Sequence, residues 1–208
     1  MRALAGRRVY PITDRHLSGH AHAEQIAILS EGGATLIQLR EKSYSPAEFY
    51  EETEAALRVA REIGVALIVN DRVDIALALN ADGVHLGQDD LPPVAARRLL
   101  GPSAIIGFST HNLQQAQLAA QMPVDYVAIG PIFTTTTKSS SNPAVGLKNL
   151  LLVRQALRDM PLVAIGGITR ENIALVLNAG ADAVAIISDI WTSINQPSHR
   201  IQQLLKYS

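Results

Sequence analysis

Eight apolar runs of strand length, each followed by a stretch of helical period, leave this chain few folds to adopt. The runs fall at 9–13, 36–39, 66–69, 83–86, 105–109, 126–129, 162–165 and 183–187. Helices are expected between them at 21–31, 46–63, 72–79, 92–100, 113–121, 147–159 and 170–178, with a closing helix near 198–207. Strict alternation requires parallel strands joined by right-handed crossovers. Eight units predict an α/β chain folded as a single domain over 1–208, a closed (β/α)8 TIM barrel, with an open doubly wound sheet as the alternative. At 208 residues the chain is lean for such a barrel, which typically has about 250, so its loops must be short. Pro46, Pro92 and Pro93 suit first helical turns, and Gly64, Gly101 and Gly180 suit helix stops.

Composition removes several classes of function. There is no cysteine, which excludes disulfides, zinc–thiolate sites and a cysteine nucleophile. A formal net charge of −1 gives no general attraction to nucleic acid or to an anionic membrane. Aromatic residues make up only 4%, which favours packed aliphatic layers over an aromatic ligand box. No apolar run reaches membrane-span length and 1–10 holds no long apolar stretch, so a cytoplasmic protein without a signal peptide is expected. Self-association into a homo-oligomer is left open.

The polar residues are concentrated where the strands end. In a closed barrel those ends converge on one mouth, which is where chemistry takes place. Gln38, Arg40 and Lys42 alternate with Leu39 and Glu41, so the first three share a face above Leu36, while Ile37 and Leu39 face the helices. Arginine and lysine at a mouth can hold phosphate oxygens; a salt-bridged rim is the plainer reading. Asp71 and Asp90 follow neighbouring strands, whose axes lie about 5 Å apart, so both carboxylates could meet one Mg2+ ion. Helix capping is the competing reading for each acid. Thr135, Thr137 and Lys138 offer hydroxyls and an ammonium to a phosphate, in a loop at 134–141 that reads equally as a lid or a plain surface loop. Gly166, Gly167, Ile187 and Ser188 follow the last two strands, where barrels often bind phosphate through backbone N–H groups. Ser109 can donate to an anion but, with only His111 nearby in sequence, lacks a partner as a nucleophile. His85 reads as a satisfied core histidine, and His16, His20 and His22 as residues of a surface loop.

Six motifs in register identify a resemblance. They are Gln38-Leu39-Arg40-Glu41-Lys42, Asn70-Asp71-Arg72-Val73-Asp74, Val84 through Pro92, Gly107-Phe108-Ser109 with His111, Gly130-Pro131-Ile132-Phe133 through Lys138, and Ile165-Gly166-Gly167-Ile168. Together they resemble the thiamine-phosphate synthase family, also called thiamine-phosphate pyrophosphorylase, from Ile12 to Ser188. The resemblance implies a (β/α)8 barrel that joins an aminopyrimidine methyl diphosphate to a thiazole phosphate, with Mg2+, giving thiamine phosphate and pyrophosphate through a carbocation-like step. By matching position it implies a pyrimidine diphosphate site at Gln38, Leu39, Arg40, Glu41, Lys42, Asn70, Ser109 and Lys138. Arg40, Lys42 and Lys138 are the implied catalytic cations, and Asp71 and Asp90 the metal ligands. The implied thiazole phosphate site is Thr135, Thr136, Thr137, Gly167, Ile187 and Ser188. Ala183 and Asp189 depart from the pattern, since glycine and a small residue are usual there; a carboxylate at 189 must point away from a phosphate.

Three rivals remain. A related thiazole tautomerase shares the barrel but is expected to lack the acid pair and the Thr-x-Thr-Lys loop. A sugar-phosphate isomerase needs an acid/base pair that Asp71 and Asp90 do not supply if they hold metal. A non-catalytic sensor of thiamine precursors would bind without magnesium-dependent turnover.

Overall fold

The computed structural model describes residue 4, residues 6–135, 143–192 and 196–207. The elements run β1 (Val9–Pro11), α1 (Arg15–Ser18), α2 (His22–Glu31), β2 (Leu36–Leu39), α3 (Pro46–Ile63), β3 (Ala66–Asn70), α4 (Val73–Ala78), β4 (Gly83–Leu86), α5 (Pro93–Leu100), β5 (Ile105–Thr110), α6 (Leu113–Ala119), β6 (Tyr126–Ile129), α7 (Gly146–Leu157), β7 (Leu162–Ile165), α8 (Ile173–Asn178), β8 (Ala183–Ile186), α9 (Ser188–Trp191) and α10 (Pro197–Leu205). Every strand pair is parallel, in the order β1-β8-β7-β6-β5-β4-β3-β2. A parallel bridge between Ile12 and Gln38, with Thr13 N–H donating to the Gln38 carbonyl at 2.9 Å, closes β1 onto β2. The sheet is therefore a barrel, and the open-sheet alternative falls.

The helices cover the barrel because their apolar faces have helical spacing. In α3 the buried residues are Phe49, Thr53, Ala56, Leu57 and Ala60, one stripe laid on the sheet. Ser45 caps this helix by accepting from Glu48 N–H while the Glu48 side chain accepts from Ser45 N–H, Pro46 opens it, and Gly64 ends it at φ 75°. Losing the Ser45 cap would cost about 1 kcal/mol. Helix-facing side chains such as Ile37, Leu39, Leu67 and Val127 form the outer core, whereas Tyr10, Leu36, Ile68, Tyr126, Val163 and Ala183 fill the barrel interior.

The interior fits by pairing large with small residues. A Cβ at Gly107 would overlap the Tyr126 ring, so glycine on β5 is what admits tyrosine on β6. Ala183 is fully buried in the same interior, and its methyl is accommodated there.

The opposite end of the barrel is stitched by three aspartates of one design. Each precedes a strand and accepts a backbone N–H from the strand alongside. Asp82 takes Leu67 N–H at 2.8 Å, Asp125 takes Ile106 N–H at 2.8 Å, and Asp182 takes Leu162 N–H at 2.7 Å. Arg97 braces Asp125 at 2.6 Å and Arg154 braces Asp182 at 2.8 Å. In such barrels this face serves stability and the other face serves chemistry.

Candidate active site

Inward positions near the C-terminal strand ends are polar, and together they line one cavity. Its wall includes Gln38, Arg40, Asn70, His85, Ser109 and His111 on one side, and Thr135, Gly166, Gly167, Ile187 and Ser188 on the other. The two-residue period of β2 puts Gln38 inside the barrel while Leu39 is buried among the helix-facing residues. Asn70 Nδ2 is buried with no hydrogen-bond partner among the described residues. An unsatisfied donor of this kind costs about 1–3 kcal/mol, and an acceptor from a ligand would remove that cost.

Below the mouth a polar chain crosses the barrel. Gln38 Nε2 donates to Tyr10 Oη at 3.2 Å, Tyr10 Oη lies 3.0 Å from Tyr126 Oη, and Tyr126 Oη lies 2.9 Å from His85 Nδ1. His85 Nε2 then meets Ser109 Oγ at 2.8 Å. The Tyr10 and Tyr126 rings pack edge-to-face, and the His85 ring stacks on Tyr126 at a centroid distance of 5.6 Å. Burial pushes the pKa of both phenols up, so both stay neutral.

The acids and a cation meet at the rim beside this chain. Asp71 follows β3 with φ 63°, a left-handed conformation that aspartate tolerates better than most residues. Its N–H donates to the His85 carbonyl at 2.8 Å, which pins the turn. The Lys42 ammonium closes on Asp71 Oδ2. Asp90 Oδ2 accepts Gly87 N–H at 2.6 Å. Burial works to raise the Asp71 carboxyl, but hydrogen bonds from Lys42 and Asp90 outweigh it and hold its pKa below the ordinary value. Asp90 is shifted up, by burial first and also by the Asp71 charge, against the pull of Gly87 N–H.

Neither acid is a helix cap. The N-caps of α4 and α5 are Arg72 and Pro92, and neither makes a side-chain cap bond. Among the described residues no group of three or more His, Cys, Asp or Glu side chains could enclose a metal ion. Asp71 and Asp90, close enough for each to shift the other's carboxyl, instead suit magnesium, which keeps waters and takes substrate phosphate oxygens alongside one or two carboxylates.

The remaining residues divide clearly. Arg40 reaches the cavity while its Nη1 stands 3.5 Å from Asp14 Oδ2 and its N–H donates to Thr13 Oγ1 at 3.1 Å. Glu41 turns back onto its own loop, accepting from Lys42 N–H, Ser43 N–H and Ser43 Oγ, and so shapes the segment that presents Lys42. Gly166 and Gly167 have φ 99° and 65° and pass close to Pro131 and Phe133, leaving no room for side chains. Asp189 points away from the cavity: its Oδ2 stands 3.4 Å from Arg200 Nε, and burial raises its carboxyl. Thr136, Thr137 and Lys138 lie outside the described residues, as does most of the loop at 134–141.

The histidines add to the sequence reading, and one of them corrects it. His22 is no loop residue: it opens α2, is fully buried, and has Nδ1 2.9 Å from Thr13 Oγ1. His85 is satisfied as expected, yet it lines the cavity and gives Ser109 the imidazole partner that sequence proximity did not. His111 also lines the cavity, and its Nδ1 bonds the Gly130 carbonyl at 2.7 Å. The carbonyl only accepts, so Nδ1 carries a proton in this bond. Tyr10 and Tyr126 read as ordinary strand residues in the sequence; an inward tyrosine on two strands is the signal that could have found the chain.

Residues 9–190 match the family model described as thiamine monophosphate synthase. The thiamine-phosphate synthase of Syntrophomonas wolfei is 43% identical over 94% of this chain and 95% of its own length. That of Chloroflexus aurantiacus is 47% identical over 88% of this chain and 84% of its own. Among solved structures, a thiamine phosphate pyrophosphorylase from Pyrococcus furiosus superposes with a TM-score of 0.87 at 35% identity, covering 97% of this chain and 95% of that one.

Proposed function

The chain belongs to the thiamine monophosphate synthase family, and from that premise we propose how its mouth carries out the transfer. It is a thiamine-phosphate synthase, a transferase of thiamine biosynthesis. The substrates we assign are an aminopyrimidine methyl diphosphate and a thiazole phosphate. The observation that carries the assignment is the Asn70 amide nitrogen, without a partner among the described residues, beside Lys42, Asp71 and Asp90, a donor, a cation and two acids at one rim. That set suits a diphosphate with its counter-cation.

In this reading Arg40, Lys42, Asn70 and Ser109 hold the diphosphate, and the family resemblance adds Lys138 to them. The carbon–oxygen bond to the diphosphate breaks and its electron pair leaves on the diphosphate oxygen. The electron-rich aminopyrimidine shares the positive charge left on carbon, and the thiazole nitrogen supplies its lone pair to form the new bond. Arg40 and Lys42 favour this step by stabilising the departing charge. Asp71 and Asp90 would hold magnesium, whose charge when bound neutralises the diphosphate. Gly167 and the backbone of Ile187 and Ser188, with Thr135, Thr136 and Thr137, would receive the thiazole phosphate and keep its nitrogen near the carbon. No nucleophilic side chain takes part.

A cytoplasmic enzyme is the matching location; among the described residues no helix is long and apolar enough to cross a membrane. The test is pyrophosphate release with both substrates, comparing magnesium, chelator, and the Asp90→Ala variant. Release that needs magnesium and is lost in the folded variant is the expected result. Metal-independent release, or near-normal activity in Asp90→Ala, would remove the acid pair from the site.

A further inference from the structure

The polar chain beneath the mouth has a direction, and the direction decides what Ser109 can do. A phenol carries one proton and can accept as well. Tyr10 accepts from Gln38 Nε2 at 3.2 Å, so its own proton goes to Tyr126 Oη, 3.0 Å away. Any other placement strands a donor inside the barrel, since Tyr10 is only 1% exposed. Tyr126 then passes its proton into the bond with His85 Nδ1 at 2.9 Å. A neutral imidazole that accepts at Nδ1 carries its proton on Nε2, and Nε2 faces Ser109 Oγ at 2.8 Å. Ser109 therefore accepts from His85 and turns its own hydroxyl proton toward the cavity it lines.

The opposite order would be a different site. Nε2 would take the serine proton, the Ser109–His85 pair would be that of an activated nucleophile, and an oxygen lone pair would face the mouth. A lone pair there repels an anion, whereas a hydroxyl proton binds one.

We propose that Tyr10, Tyr126 and His85 are positioning residues, a relay anchored on the Gln38 amide that fixes His85 as the Nε2–H tautomer and aims the Ser109 hydroxyl proton at an anionic ligand in the mouth. The identity of that anion as a diphosphate rests on the function proposed above; the tautomer does not. The relay gives Gln38 a task beyond touching a ligand, and it explains why two phenols occupy the interior of an otherwise aliphatic barrel.

The test has two parts. Nitrogen–proton correlation spectra of the ligand-free protein, labelled at histidine nitrogen and assigned with His85→Gln, read the tautomer directly. The expected result is Nε2–H in the natural protein and loss of that preference in Tyr126→Phe, which keeps the ring. Kinetics then separate positioning from packing. Tyr126→Phe is expected to raise KM for the pyrimidine diphosphate about three- to tenfold, the scale of one misdirected charge-assisted hydrogen bond. In a Ser109→Ala background the same substitution should change KM by less than about twofold, because its effect runs through Ser109. An Nδ1–H tautomer in the natural protein overturns the proposal, and so do additive effects of the two substitutions. Absence of pyrophosphate release by the natural protein refutes the synthase mechanism instead, and the tautomer alone then decides the relay.

Discussion

The ammonium of Lys42 closes on Asp71 Oδ2, tying the loop after β2 to the turn after β3 across the rim of the barrel. The Lys42 side chain is 50% exposed, so the pair contributes little to stability, about 0–1 kcal/mol for pairs of this kind. Its task is to hold a cation and an acid together where a diphosphate would sit. Lys42→Met is therefore expected to leave the melting temperature nearly unchanged and to lower kcat/KM for the pyrimidine diphosphate at least about tenfold, the loss of one charge-assisted contact. Parallel thermal melts and initial rates check both halves.

Asp71 occupies a left-handed conformation at φ 63° that a glycine adopts freely. Selection for stability alone would favour glycine there. Asp71→Gly is expected to match the natural protein in urea stability or exceed it by up to about 1 kcal/mol, while magnesium-dependent turnover falls at least about a hundredfold. A stable and active variant would show that the carboxylate is not needed.

Asp125 bonds Ile106 N–H and Arg97 at the end of the barrel away from the mouth. Asp125→Ala should cost about 1–3 kcal/mol, because the Ile106 N–H loses this acceptor while Arg97 keeps only its backbone carbonyl partners. Turnover of the folded fraction should stay within about twofold, in keeping with the division of such barrels into a stability face and a chemistry face. Denaturant melts and rates at a temperature below the transition measure the two separately.

His22 makes stability depend on pH. Burial lowers its pKa below the ordinary 6.5, although the charges of Glu41 and Glu52 oppose the shift. With the folded value depressed, the unfolded chain takes up the proton first as pH falls. Its contribution is thus fully present above 6.5 and is lost as pH drops through that value toward the folded one. Urea stability of the natural protein should decline from about pH 7.5 to about pH 5.5, and His22→Asn should flatten that decline. An equal decline in both proteins would assign the pH dependence to other groups.

The barrel could be read from the sequence because its signals are local. Strands at 36–39, 83–86, 126–129 and 162–165 and the helix at 46–63 coincide with β2, β4, β6, β7 and α3. The short helices α1 and α9 could not be read, since four residues carry no period; Asp14 capping Leu17 N–H and Trp191 Nε1 donating to the Ile12 carbonyl hold them in place. At the site, the alternation of Gln38 and Leu39 placed their side chains correctly on opposite faces of the sheet. The relay was hidden because its partners are far apart in sequence, Tyr10 and Tyr126 by 116 positions. His85 was legible as a satisfied residue, but no local pattern shows that its satisfaction comes from Tyr126 and Ser109. The three aspartates at the far end share a strand-preceding position, a repeat too short to separate from the Asp71 and Asp90 type without the fold.

The most direct test of the account is product stoichiometry. The purified protein is incubated with the pyrimidine diphosphate and magnesium, with and without thiazole phosphate, and pyrophosphate and thiamine phosphate are quantified together. The account predicts thiazole-dependent release in which the two products appear in equal amounts. Pyrophosphate without thiamine phosphate, or no release from a folded protein that still binds phosphate ligands, would contradict it.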